Sequence, residues 1–110
     1  MNSYQSVLPL AQLAVNKPFL AQMTNARALL VRQSDDRVVA FSPLCPHQLG
    51  NLADGACRAD EIECPVHGYL FSLHTGASVY PRGEYHLRFF DVKIEDGQVF
   101  VHIPRPKWMD

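Results

Sequence analysis

Two short segments of the sequence bring together residue types that can do chemistry: Cys45-Pro46-His47 and Cys64-Pro65-Val66-His67. Each offers one thiolate and one imidazole. Sixteen residues, Gln48 to Glu63, separate His47 from Cys64, so the order is Cys-x-His, a long spacer, then Cys-x-x-His. A thiolate is a soft anionic ligand suited to iron–sulfur clusters or zinc, and a neutral imidazole suits iron and zinc as well. Zinc fingers keep two cysteines together and two histidines together, whereas each segment here mixes one of each. That interleaving suits a two-iron cluster with unlike irons, the two cysteines meeting at one iron and the two histidines at the other.

With a proline after each cysteine, the two segments resemble the Rieske signature. The likeness continues through Gly68, Phe71, Thr75-Gly76 and Pro81, from about Ser6 to Ile103. In that family two histidines replace two cysteines on one iron of a [2Fe-2S] cluster. The resemblance therefore implies one such cluster per chain, with Cys45 and Cys64 on one iron and His47 and His67 on the other. It also implies an all-β fold, a Rieske-type sandwich or barrel formed as one domain. The base would comprise about residues 1–41 and 82–110, and a small cluster-binding subdomain, about residues 42–81, would be inserted in it. A third loop around Tyr80-Pro81-Arg82-Gly83 would cover the cluster.

Substrate-oxidising Rieske oxygenases add a large domain with a mononuclear iron site, and this chain is too short to hold one. The resemblance points instead to an electron carrier that is not itself an enzyme: the ferredoxin component of an oxygenase of the aromatic-ring-hydroxylating type. Its partners would be a flavin-dependent, NAD(P)H-fed ferredoxin reductase and a terminal oxygenase. An alternative is the small Rieske subunit of a nitrite reductase; some of those subunits have lost the ligands, and this chain keeps all four. A third reading, from another class, is a zinc-stabilised binding module with no redox role.

The resemblance also bears on potential. High-potential members carry an additional cysteine in each cluster loop, and these pair; here the matching positions are Gly50 and Val66. Where those members place a serine and a tyrosine after the second histidine, this chain has Tyr69 and Phe71. Neutral histidine ligands raise the potential above that of all-cysteine ferredoxins, but the departures imply the low end of the Rieske range, on the order of −150 mV. The outward edges of His47 and His67 would be the electron exit, framed by Pro46, Gln48, Leu49, Pro65, Val66 and Pro81.

The rest of the composition sets bounds. The chain has 110 residues, a formal net charge of −1, 47% hydrophobic and 19% charged residues. That is globular and carries no broad basic footprint for nucleic acid. No apolar run is long enough to span a bilayer, and the start, Met1-Asn2-Ser3-Tyr4-Gln5, lacks the basic and apolar regions of a signal peptide. If Cys45 and Cys64 bind iron, Cys57 is left alone and no intramolecular disulfide can form, which fits a reducing cytoplasm. A monomeric shuttle is the expectation. His74, His86 and His102 lack ligand spacing to the site and read as surface or strand-face residues. Cys57 reads as a small packed residue, with a reactive thiol in a loop as the alternative. Asp60, Glu61 and Glu63 read as a solvated acidic face, with steering of a basic partner as a second possibility.

Short β-rich runs broken by turn residues predict the strands. They are Ser6 to Leu8, Phe19 to Met23, Ala28 to Arg32, Val38 to Phe41, a short strand around Ile62, Phe71 to Leu73, Leu87 to Ile94, and Val99 to Ile103. Leu10 to Val15 reads as one helical turn. Gly50-Asn51 and Asp54-Gly55 are turn signals, and Asp96-Gly97 is a hairpin signal.

Overall fold

The computed structural model describes residues 4–24, 26–46, 50–66, 68–80 and 82–104. Its strands in chain order are β1 (Gln5–Pro9), β2 (Phe19–Met23), β3 (Ala26–Arg32), β4 (Val38–Phe41), β5 (Ala56–Arg58), β6 (Glu61–Glu63), β7 (Leu70–Ser72), β8 (Ser78–Tyr80), β9 (Phe89–Glu95) and β10 (Gln98–His102). They form two antiparallel sheets: a large one ordered β1-β10-β9-β4-β3-β2 and a small one ordered β5-β6-β7-β8. The all-β expectation holds. The ends of the large sheet approach each other, where the Thr24 amide donates to Gln5 Oε1 at 3.1 Å, so the sheet curls towards a barrel.

Strand β3 explains how the two sheets are joined. Successive side chains of a strand point to opposite faces. On one face Ala28 and Leu30 pack with Leu8, Phe90, Val99 and Val101 inside the curled sheet. On the other, Leu29 and Val31 pack with Phe41, Leu52, Ile62, Phe71, Leu73 and Leu87. That second cluster lies between the large sheet and the small one. An unbroken apolar run is what a strand covered on both sides requires.

Several elements differ from expectation in ways that physics explains. The predicted strand at Leu87 begins only at Phe89, because the Leu87 amide is taken by Gly76 O at 2.8 Å and the chain is still returning from the small sheet. Strand β7 ends one residue earlier than predicted, and Leu73 instead donates its amide to Asp60 O at 2.9 Å. Strands β5 and β8 were not foreseen; at three residues each they are too short to show an alternating pattern. The helical turn after Pro9 is a 3-10 turn, Leu10–Gln12. The tail from residue 105 onwards lies outside the described residues.

Candidate metal centre

The two cysteines of the motif stand at matching places in two similarly closed loops. The first loop leaves β4 directly: Leu44 bridges Asn51, and the Cys45 amide donates to Gly50 O at 2.7 Å. The second leaves β6 directly: the Cys64 amide donates to Tyr69 O at 2.7 Å, and Gly68 N donates to Cys64 O at 3.0 Å. In both, a cysteine amide pairs with the carbonyl five residues on, which pins the base of the loop. Cys45 and Cys64 are fully buried and share the apolar cluster between the sheets. Their candidate co-ligands His47 and His67 lie outside the described residues, as do Gln48, Leu49 and Pro81 of the expected exit patch.

Among the described residues no three His, Cys, Asp or Glu side chains come together as a group that could hold a metal ion; what is described of the site is its two cysteines and their loops. Cys57 and Cys64 are in no disulfide. A Cβ built on Gly50 would lie 3.4 Å from Cys64 Sγ. That is an ordinary contact; the obstacle to a side chain at position 50 is Val66 Cγ2, 2.5 Å from the same Cβ, so the first loop's backbone lies against the second loop.

The same geometry brings positions 50 and 66 face to face. The Cβ built on Gly50 would lie 3.6 Å from Val66 Cβ, within the roughly 3.5–4.5 Å spanned by a disulfide. The double substitution Gly50→Cys with Val66→Cys is therefore expected to close a new disulfide on mild oxidation. Thiol titration with and without reductant checks this; two freely titrating additional thiols would show that the loops are set differently.

Around the site the remaining groups find structural roles. Burial pushes the Cys57 thiol up to about 12, so it stays protonated and unreactive at neutral pH, packed against the inter-sheet cluster. Burial, then the neighbouring Tyr85, Glu84, Cys45 and Tyr80, raise the Tyr69 phenol; its ring lies 5.6 Å from that of Tyr85. His86 Nδ1 lies 2.7 Å from Leu87 O, and the His102 ring lies 5.7 Å from Tyr4. Leu44, Val66 and Tyr80 are exposed apolar side chains, on the two loops and on β8. The expected frame residues Pro65 and Val66 are exposed, and Pro46 is half-buried.

The acidic run before Cys64 does not form a single solvated face. Glu63 is exposed and Glu61 half-buried, but Asp60 is buried. The turn carrying Asp60 directs its carboxylate to Ser34, whose amide and hydroxyl donate to it at 2.9 and 2.6 Å. Those two bonds lead the causes that hold its pKa below the ordinary 3.8; His74 and Asn16 add to them against the cost of burial. A carboxylate depressed on folding contributes stability above its unfolded pKa, and that contribution is lost as pH falls through the folded value. Thermal melts should therefore show a drop in stability on acidification below the usual carboxylate range. Asp60→Asn should lower stability at neutral pH and flatten that acid-side drop; an unchanged acid limb would refute the assignment.

Comparison with known proteins gives a consistent picture. The family described as Rieske [2Fe-2S] domain matches residues 3–91. Ferredoxin CarAc of Metapseudomonas resinovorans is 33% identical over 76 residues, covering 69% of this chain and 71% of its own. The anthranilate 1,2-dioxygenase ferredoxin subunit of Burkholderia cepacia is 29% identical over 83 residues, covering 76% of this chain and 77% of its own. Among solved structures, the ferredoxin of carbazole 1,9a-dioxygenase from Nocardioides aromaticivorans IC177 superposes with a TM-score of 0.80 at 31% identity, covering 90% of this chain and 96% of that one.

Proposed function

This chain belongs to the Rieske [2Fe-2S] domain family, and from that premise we propose that it is the electron-carrying ferredoxin of a multicomponent oxygenase of the ring-hydroxylating type. The observation that carries the reading is the pair of buried thiols, Cys45 and Cys64, each at the base of an amide-closed loop in one apolar cluster. Relatives named as ferredoxins of dioxygenase systems support it.

In this reading Cys45 and Cys64 hold one iron and His47 and His67 the other, with one cluster per chain. Such a cluster, when bound, supplies reversible one-electron storage. The protein's own contribution is to hold and shield. The inter-sheet residues Leu52, Ile62 and Phe71 are fully buried around the cysteines and keep water from the sulfurs. Hydrogen bonds at the loop bases keep the ligands from rearranging, so little reorganisation accompanies a change of charge. The Tyr69 phenol stays neutral and adds no charge beside Cys45. Exposed Leu44, Val66 and Tyr80 offer an apolar landing surface near the loops, as transient partners require.

The chain would work as a single domain, a base of about residues 1–41 and 82–110 carrying a cluster-binding insertion of about residues 42–81. It would act as a monomer in the reducing cytoplasm, taking electrons from a flavin-dependent, NAD(P)H-fed reductase and passing them to a terminal oxygenase. Among the described residues no helix is long and apolar enough to cross a membrane. The test is reconstitution with a flavin reductase and a terminal oxygenase of this type. Oxygenase turnover that depends on added chain, and stops when the chain is omitted, is expected. Reduction of the chain by neither NADH nor NADPH through any such reductase would count against the role.

A further inference from the structure

Asp60 is the buried charged residue among the described residues. It occupies the two-residue turn between β5 and β6, where Ala59 and Asp60 have φ of 53° and 58°. Positive φ is disfavoured for any residue with a Cβ, and such strain persists where the surroundings over-determine it. They do so here. Ser34 donates its amide and its hydroxyl to the two carboxylate oxygens. The Asp60 amide donates to Asn16 Oδ1 at 3.1 Å, its carbonyl accepts from Leu73 N at 2.9 Å, and His74 Nε2 lies 3.4 Å from Oδ2.

These partners come from both sheets. Ser34 follows β3, and Asn16 is tied to the same strand through its amide, which donates to Arg32 O at 2.8 Å. Leu73 and His74 belong to the turn between β7 and β8 of the small sheet. The consequence lies in how the ligand loops are mounted. The first loop extends from β4 of the large sheet, while the second extends from β6, a three-residue strand of the small sheet. The separation of Cys45 from Cys64 therefore depends on how the sheets are fastened together. Asp60 fastens them with charge-assisted bonds at the residue immediately before β6, four positions ahead of Cys64.

We propose that Asp60 is a positioning residue for the metal centre: its bonds to Ser34 lock β6, and through it the Cys64 loop, in register with the Cys45 loop. This rests on the electron-carrier reading for its purpose but not for its geometry. Among the groups in contact with Asp60, His74 is the titratable one; Ser34 and Asn16 are neutral.

The test uses cluster-loaded protein and two variants, Asp60→Asn and Ser34→Ala. The second lies outside the site and keeps the test open should the first not fold. Amide hydrogen exchange is followed in residues 64–69 with β9 and β10 as internal reference, alongside bleaching of the visible absorbance by an iron chelator well below the melting temperature. Both variants are expected to speed exchange in the Cys64 loop and cluster release by about tenfold, the scale of one lost charge-assisted hydrogen bond, with a distinctly smaller rise in β9 and β10 that reports the loss of global stability. Exchange that rises equally in β9 and β10, or a loop that does not respond, would overturn the positioning role and leave Asp60 as general stabilisation or none. A wild-type protein that takes up no cluster would instead remove the functional reading, and the exchange comparison would still decide the mechanical one.

Discussion

Cys64→Ala should abolish the visible chromophore while leaving much of the β structure in place. Cys64 is fully buried among Ile62, Phe71 and Leu52. Alanine is small and apolar, so the site loses its sulfur without gaining a buried polar group. No other thiol is equipped to replace it. Cys57 is on β5 opposite Ile62, and burial pushes its thiol to about 12, leaving almost none of it as the thiolate that binds metal at neutral pH. Cys45→Ala should have the same outcome, and Cys57→Ala should leave the spectrum as it was. Iron content and visible absorbance per chain are the measurements. A coloured Cys64→Ala protein, or a colourless Cys57→Ala one, would mean the ligand set has been assigned wrongly.

Gly55→Ala should have the largest effect on stability. Gly55 has φ of −81° and ψ of 171°, a conformation any residue adopts, so backbone freedom is not its reason. A Cβ there would run into Glu63 O and lie 3.1 Å from Leu52 O. Both obstacles are backbone, and Glu63 is the residue before Cys64, paired with Ala56 across β5 and β6. Neither can rotate aside, so the two strands must separate at the point where the second loop begins. Overpacking of this kind costs about 3 kcal/mol, or roughly 10–20 °C in melting temperature for a domain of this size. Gly83→Ala is the comparison: nothing lies within 4 Å of a Cβ there, and only its φ of +73° objects, a cost of about 1–2 kcal/mol. Circular-dichroism melts of the two variants separate the mechanisms; equal losses would show that the approach at Gly55 is not the constraint described.

Two hairpin turns show which parts of the fold can be read from sequence. Asp96 and Gly97 have φ of 51° and 74°, and Asp-Gly announces that geometry because it tolerates positive φ at both places. Ala59 and Asp60 adopt nearly the same φ values, yet Ala-Asp announces nothing. The turn is imposed from outside by Ser34, Asn16 and Leu73, which are distant in sequence. The same reasoning covers the acidic run. Charge patterning correctly leaves Glu63 in solvent, but it cannot see the two hydrogen bonds that draw Asp60 inside. Gly55 was legible only as a turn signal, while its close approach to Glu63 O exists only once β5 and β6 are paired.

The two candidate cysteines were more legible than the elements that hold them. Residue type and spacing single out Cys45 and Cys64, and the structure sets both in one buried cluster; for His47 and His67 the motif remains the argument. Leu29, Leu30 and Val31 read as a strand, but not as one whose alternate side chains serve two different cores. That depends on a second sheet built largely from three-residue strands, which leave almost no periodic trace.

In the proposed function, Cys45, His47, Cys64 and His67 would carry a [2Fe-2S] cluster with mixed ligation at low Rieske potential. The most direct measurement is an electron paramagnetic resonance spectrum followed through a reductive titration of the purified protein. The account predicts a rhombic signal of mixed cysteine and histidine ligation that grows in as one electron is taken up, with a midpoint on the order of −150 mV. A midpoint well above zero would contradict the place in the family given by Gly50, Val66, Tyr69 and Phe71. A colourless protein with no signal after iron–sulfur reconstitution would contradict the electron-carrier account itself.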